Sequence, residues 1–415
     1  MKKNHPIFLM LVAMWLLTAC HHDKDDDKLE KLSVLVYMAG DNNLGSYVIR
    51  DIREMMEGSK LLGNGNHLLA FVDQTGKLPY LLEIANGDTT RVYTFGQEMK
   101  SSDPATLHTT INYLRNHYRA ENYGLVLWGH ADGWLIWEQT AAKRAPRRAY
   151  GQDVTGGEQW MNIDDMADVI EGTCTDAPLR FIFADCCCFQ SIESAYELRR
   201  CADYIIASAA EIPGNGAPYE DVIPALFNPD PDFYKQAVDA YYNQVIDTYH
   251  EPMSVIKTSE MENLAQATRT VLAESLQPIR SDGTGFPDVK GIIYYYNQTL
   301  FDMNDFILRV ADENDYAEWN RVFRQAVVYS TYADAWMANH VQYYGSYGSH
   351  RFIDFNLTEE RYGGVSMFVP QKPETVRDVY KTTINRQNEY IYKMQWFDAV
   401  GMEALGWGFG CNYRE

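Results

Sequence analysis

Three consecutive cysteines follow an acid in the stretch Phe181-Ile-Phe-Ala-Asp-Cys-Cys-Cys-Phe-Gln-Ser-Ile-Glu-Ser-Ala-Tyr-Glu-Leu198. A cysteine attacks as its thiolate, and the reaction needs a histidine to give and take a proton and donors for the developing oxyanion. Of the ten histidines, His5, His21 and His22 lie in an N-terminal leader and tether. His67, His108 and His117 fall inside expected strands or helices, and His250, His340 and His350 have no strand end before them. His130 alone follows an apolar strand, Tyr123-Gly-Leu-Val-Leu-Trp128, in a glycine-containing loop. The plain alternatives are cysteines filling a tight corner of the core and a histidine holding a loop. The combination points instead to nucleophilic catalysis. A cysteine just ahead of a helix N-terminus is expected to gain thiolate character from the helix dipole. Thiol-disulfide exchange is disfavoured because the chain has no Cys-x-x-Cys spacing.

These residues need elements that deliver them to one place. Leu179 to Ala184 reads as a buried strand running into the cysteines, with helical spacing at Ile192, Ala195 and Tyr196 after them. Further strands are expected at Leu32–Ala39, His67–Asp73, Tyr80–Ile84 and Tyr204–Ser208. Helices are expected at about Ser46–Met56, Pro104–Tyr118 and Ile163–Ile170. Apolar rather than alternating strands, separated by helices, imply βαβ units and a parallel sheet buried on both faces. In such a sheet, reactive groups collect at the carboxyl ends of the strands. Glu138 to Gly157 reads as an exposed loop carrying the basic residues Lys143, Arg144, Arg147 and Arg148. Beyond about Pro229 helical patterns dominate, clearest at Glu260–Leu276 and Leu300–Asp312. Gly364–Pro370 reads as a strand joining the sheet or a small ribbon, and Tyr390–Trp407 as an aromatic helix.

The 415 residues are 46% hydrophobic and carry a formal charge of −21, which disfavours a nucleic acid or an anionic membrane surface as partner. Lys2-Lys3, the apolar run Ile7–Leu17 and Leu17-Thr-Ala-Cys20 have the form of a bacterial lipoprotein signal, with Cys20 the acylated residue. His21 to Lys28 is a charged tether, either a solvated spacer or a signal for the outer cell surface. The expected location is therefore outer membrane or cell surface, attached through a lipid. Excluding Cys20, the remaining cysteines are Cys174, Cys186, Cys187, Cys188, Cys201 and Cys411. Adjacent cysteines do not pair with one another in relaxed geometry, so no disulfide framework is expected, although one bridge stays open.

Taken together, Val34-Leu-Val-Tyr-Met-Ala-Gly-Asp-Asn-Asn-Leu44, Leu125-Val-Leu-Trp-Gly-His130 and Asp185-Cys-Cys-Cys through Leu198 resemble the clostripain-like cysteine peptidases of the caspase-fold clan. The resemblance continues more weakly through Gly364–Pro370. Caspase-type enzymes also place the histidine about 50 residues ahead of the cysteine. The resemblance implies an α/β fold with a caspase-like, mostly parallel sheet flanked by helices and a mainly helical C-terminal extension. Its organisation would be a signal peptide (1–19), acidic tether (20–30), catalytic domain (31–229), helical region (230–345) and a strand and helix packing back (346–415). It implies an endopeptidase acting on proteins or peptides, with Cys187 as nucleophile and His130 as general acid/base. The backbone amides of Ala131 and Cys187 would form the oxyanion hole, Ala131 standing where the family usually has glycine. Relatives cleave after Arg or Lys; the corresponding pocket acids fall on Asp185 and on Asn215, which replaces the family's aspartate. A weakened or broadened basic preference follows. Relatives also cut themselves after the histidine strand, making Lys143, Arg144, Arg147 and Arg148 the candidate sites. No cofactor is implied; some relatives need calcium, but the chain has no EF-hand-like loop. The alternative is a surface-binding lipoprotein of the same fold with little or no catalysis.

Overall fold

A computed structural model describes residues 29–136, 149–246, 249–296, 299–333, 336, 357–376 and 378–408. Cys20 and the basic run 143–148 lie outside them. The strands are β1 (Glu30–Gly40), β2 (Asn66–Gln74), β3 (Tyr80–Ala85), β4 (Asp88–Thr94), β5 (Ala120–Trp128), β6 (Tyr150–Asp153), β7 (Gln159–Met161), β8 (Leu179–Asp185) and β9 (Ala202–Ala207). They continue with β10 (Val245–Ile246), β11 (Tyr249–His250), β12 (Ser254–Lys257), β13 (Leu300–Asp302), β14 (Val327–Ser330) and β15 (Ser366–Phe368). Among the described residues, nine of these form one sheet in the order β14-β12-β9-β8-β5-β1-β2-β3-β4. The five central strands, β9 to β2, run parallel, and both flanks are antiparallel.

The central strands are apolar at every position because both faces are covered. Leu35, Tyr37, Leu125, Leu127 and Ile182 face one core layer. Val34, Val36, Val126, Phe181 and Phe183 face the other. The first layer packs against α2 (Pro104–His117), α3 (Ile163–Thr173) and α7 (Met261–Ser275). The second packs against α1 (Val48–Ser59), α5 (Tyr219–Leu226) and α6 (Phe233–Asn243). Each large apolar side chain removed from water contributes about 1.5–3 kcal/mol. This three-layer arrangement fixes the level at which each strand ends.

Three expectations change. Residues 230–345 are not purely helical, since β12 and β14 extend the main sheet antiparallel to β9. Of the two places open to the strand at 364–370, it takes the small ribbon, pairing with β13. The aromatic tail is not one helix but short turns at Ile391–Lys393, Gln395–Ala399 and Met402–Leu405, the last flanked by Gly401 and Gly406 at positive φ values of 72° and 69°. The end of the expected exposed loop is buried. Tyr150 is fully enclosed, and its hydroxyl donates to the Tyr37 carbonyl at 3.0 Å. Short, half-polar strands such as β6 carry too little periodicity to be told from loops.

The β13–β15 ribbon is tied to the helix after the cysteines, α4 (Ile192–Glu197). Oε1 of buried Glu193 accepts the Phe368 N–H at 2.7 Å. Burial pushes this carboxyl up to about 8, so the folded chain holds its proton where the unfolded chain has lost it. Stability from this group is therefore complete below the ordinary glutamate value and is lost as pH rises toward 8. Glu193→Gln should raise the thermal midpoint by about 2 °C or more at pH 8 and leave it nearly unchanged at pH 4.5, measured by calorimetry.

Candidate active site

The parallel register aligns three strand ends. Met38 of β1 pairs with Trp128 of β5, and Trp128 pairs with Asp185 of β8. His130 and Cys187 each stand two residues past a paired position, on neighbouring strands about 4.8 Å apart. They thus leave the sheet side by side at its carboxyl edge, where a parallel sheet offers its ligand crevice. Gly129 makes the exit from β5, at φ 151°, and a Cβ there would come within 3.2 Å of Ala39.

Of the triplet, Cys186 and Cys188 are enclosed at 1% and 0% exposure, whereas Cys187 is half-buried. Cys186 donates toward the Leu127 carbonyl at 3.5 Å and serves the core. Cys188 is held at φ 56°, a left-handed backbone uncommon for residues with a Cβ, and its N–H donates to the Ala210 carbonyl at 2.8 Å. The Cys187 thiol meets the backbone of Ile212. It donates to that carbonyl at 3.6 Å, and its sulfur accepts the Ile212 N–H at 3.3 Å. Cys174, Cys186, Cys187, Cys188 and Cys201 are free thiols.

The expected thiolate bias is reversed in this state. Burial, together with the nearby acids Glu211, Glu251 and Asp132, pushes the Cys187 thiol well up, against the lowering effect of the Ile212 N–H. The helix dipole does not compensate. α4 begins at Ile192, and its first turn is already capped by the Ser191 hydroxyl, which accepts the Ser194 N–H at 3.2 Å. The structure therefore holds a protonated, hydrogen-bonded thiol.

His130 is oriented by the loop after β1. Its Nε2 lies 2.6 Å from Asn43 Oδ1, so Nε2 carries the hydrogen in that contact and donates it to the amide oxygen. Asn42 secures the same loop, donating to the carbonyls of Ala39 at 2.9 Å and Gln152 at 2.7 Å. The histidine backbone is also fastened, its carbonyl accepting the Gly151 N–H at 2.8 Å. Ala131 bridges Tyr150 as a non-hydrogen-bonded pair, since the bonds run through His130 and Asp132. Ala131 therefore turns its own N–H away from β6.

Asp185 is buried and fully engaged. Oδ2 accepts the Ala217 N–H at 3.0 Å and the Tyr219 hydroxyl at 2.9 Å, and Oδ1 accepts the Tyr241 hydroxyl at 2.9 Å. Gly216, at φ 58°, permits this closure, because a Cβ there would stand 2.6 Å from Asp185 Oδ2. The Asn215 carbonyl accepts from the Arg50 guanidinium. Arg50 also pairs with Asp51 at 2.7 Å and Glu54 at 3.4 Å, and lies 5.2 Å from the Tyr47 ring centre.

Residues 36–402 match the sequence model of the clostripain family, Peptidase C11. The chain belongs to the clostripain family of cysteine peptidases. Clostripain of Hathewaya histolytica is 25% identical over 228 residues, spanning 47% of this chain and 42% of that protein. A secreted C11 cysteine protease from Bacteroides thetaiotaomicron, solved with an irreversible peptide inhibitor, is 27% identical with a TM-score of 0.72. The match covers 90% of this chain and 99% of that one. An inactive zymogen C11 protease from Parabacteroides distasonis is 26% identical with a TM-score of 0.70, with the same coverage. These structures share the mostly parallel α/β sheet of the clostripain-family chain described here.

Sequence reasoning missed three contributors to this clostripain-family site. Asn43 was legible only as part of a turn, Glu211 as part of an exit loop, and Arg50 as one polar position of a helix. Long-range folding, not local pattern, brings them to the cleft. Burial and the acids around the sulfur disfavour the thiolate. Glu211→Gln should lower the Cys187 thiol value and speed alkylation by iodoacetamide at pH 7 by about three- to tenfold, read by mass spectrometry on the labelled peptide.

Proposed function

We propose that this chain is an exported, lipid-anchored cysteine endopeptidase in which His130 and Cys187 carry the chemistry. The observation that carries the reading is the shared level of the two residues on adjacent parallel strands, in a chain of the clostripain family. The Cys187 sulfur attacks the scissile carbonyl carbon, a C–S bond forms, and the amide N–H groups of Ala131 and Cys187 receive the oxyanion. His130 takes the Cys187 thiol proton as the C–S bond forms and passes it to the departing amine as the C–N bond breaks. Water then cleaves the thioester, releasing the acid and restoring the thiol. Asn43 acts as a positioning residue, holding the imidazole through Nε2.

Asp185 and Asn215 are assigned to the pocket for the side chain before the cut. Three donors already share the Asp185 carboxylate, and Arg50 sits on the Asn215 carbonyl. A buried cation is stabilised chiefly by an available opposite charge, so a basic preference is weakened or broadened. Self-cleavage is assigned to the 138–157 loop at Lys143, Arg144, Arg147 or Arg148. Export is supported by the Leu17–Cys20 signal and by a secreted relative, with Cys20 as lipid attachment. Among the described residues no helix is long and apolar enough to cross a membrane. The partners are protein or peptide substrates and, through the anchor, the membrane.

An alkylating peptide probe should label Cys187, and fluorogenic peptides should be turned over by the parent but not by Cys187→Ala or His130→Ala. The Cys187→Ala protein should remain one chain by intact mass while the parent is nicked after a basic residue. A parent that binds peptides without turning any over would favour the non-catalytic alternative. Restoring the pocket acid with Asn215→Asp should raise kcat/KM for Arg over neutral substrates by about tenfold, and an unchanged substrate panel would remove this pocket assignment.

A further inference from the structure

A cavity of about 420 Å³ opens beyond the end of β15, between the turn at 279–286, the residues after Phe368, the helix Asp378–Tyr390 and residues 406–408. Its walls are tied together by the backbone. The Ile279 N–H donates to the Leu405 carbonyl at 2.9 Å, and the Gly283 N–H closes the turn on the Arg280 carbonyl at 2.9 Å. Two buried side chains of the wall carry polar atoms without a partner. Trp407 is 1% exposed and its Nε1–H meets no acceptor, while Asn388 is 9% exposed and its Oδ1 meets no donor. Both side chains are held in place. Asn388 Nδ2 donates to the Gln371 carbonyl at 2.9 Å, and because the amide group is planar this bond also fixes Oδ1. The Trp407 ring packs edge-on against Phe368, with centroids 6.0 Å apart and planes at 83°.

A buried donor or acceptor without a partner is costly, and ligand sites combine apolar walls with a few such groups in cavities of about 300–1,000 Å³. An occupant here has to accept from an indole N–H and donate to an amide oxygen. A hydroxyl does both. The rim carries charges of both signs, Asp282 and Glu374 against Lys372, so no single-sign field selects an ion. Asp282 is already engaged by the N–H and hydroxyl of Thr284, at 2.9 and 2.7 Å. Lys372 Nζ stands 5.7 Å from the centre of the half-buried Phe286 ring. Phe286, Pro370 and Ile279 supply an apolar wall, and the negative face of an aromatic ring attracts C–H edges. A neutral sugar matches this combination, with hydroxyls around its rim and C–H groups on its faces. An extended peptide pairs along an open strand edge, whereas this cavity is lined by turns, loops and a helix.

We propose that this cavity binds a neutral saccharide, a mono- or disaccharide unit, with Trp407 donating to a sugar oxygen and Asn388 accepting from a sugar hydroxyl. The site is joined to the proposed machinery through one aromatic ring. Trp134, four residues past His130, packs edge-on against the same Phe368, at 5.7 Å and 85°. A free saccharide and a sugar carried by a protein substrate offer the same chemistry. In the second case the cavity retains a glycosylated substrate on the molecule that cuts it. That use rests on the peptidase reading; the sugar site does not.

The test uses full-length Cys187→Ala protein, which stays uncut. The probes are the methyl glycosides of glucose, galactose, mannose and N-acetylglucosamine and the disaccharides maltose, lactose and chitobiose, read by saturation-transfer NMR and isothermal calorimetry. At least one should bind at a single site per chain, and its affinity should fall about fivefold or more in Trp407→Phe and in Asn388→Ala. Circular dichroism checks that each variant is folded; if neither is, Phe286→Ala, at the half-buried ring, decides by the same loss. No binding of any sugar, or unchanged affinity in the folded variants, overturns the site. Glycylglycine binding as tightly as the best sugar overturns the ligand class. In the active parent, a denatured glycoprotein displaying the best-bound sugar should be cleaved with a KM several-fold below that of its enzymatically deglycosylated form. Equal KM for the two forms overturns the substrate as the source of the sugar and leaves the free saccharide. Sugar binding intact in a parent that cleaves nothing counts against the peptidase reading and leaves the site standing.

Discussion

The parallel pairing of β1, β5 and β8 is the constraint on which the rest depends. It brings Met38, Trp128 and Asp185 to one level, so the loops after those strands emerge together. A shift of one residue in β5 would turn His130 to the opposite face and move it about 3.3 Å along the strand. The two core layers prevent that shift, since each strand offers large apolar side chains alternately to α1, α5 and α6 or to α2, α3 and α7. The site thus inherits its accuracy from burial on both faces of a central sheet. No individual contact near the sulfur could supply it.

Around that edge the electrostatics run against the chemistry in the state described. Acids outnumber bases, the thiol is surrounded by Glu211, Glu251 and Asp132, and the Ile212 backbone occupies its hydrogen-bonding capacity. Asp185 is used to close the 215–219 turn against α5 and α6. Ile212, Ala217 and Tyr219 make these contacts from the segment 208–219, in which Glu211 also lies.

Much of this was legible beforehand, for physical reasons that differ by element. The central strands and α2, α3 and α7 announced themselves by periodicity and unbroken apolarity, because burial on two faces demands it. His130 stood out as a histidine past the end of an apolar strand in a glycine loop. The triplet stood out as cysteines at a strand-to-helix junction. Other features escaped. β12 and β14 are short edge strands inside a helical region, and β6 reads as loop until Tyr150 is seen buried beneath Trp128. The thiolate expectation failed because it counted one nearby dipole and could not count acids from distant segments.

By itself, then, the sequence carried the family, through the resemblance of its motifs, and the α/β layering, because unbroken apolar strands encode a sheet buried on both faces; it offered His130 and Cys187 as candidates. The motif resemblance points to Cys187 among the triplet, and of the three only Cys187 is half-buried. Tertiary structure decided the rest: which loop holds the imidazole and which acids surround the thiol. Those relations join residues up to more than a hundred positions apart, such as Asn42 with Gln152. Charge and hydrogen bonding act through space, so they became readable only when folding had closed those distances.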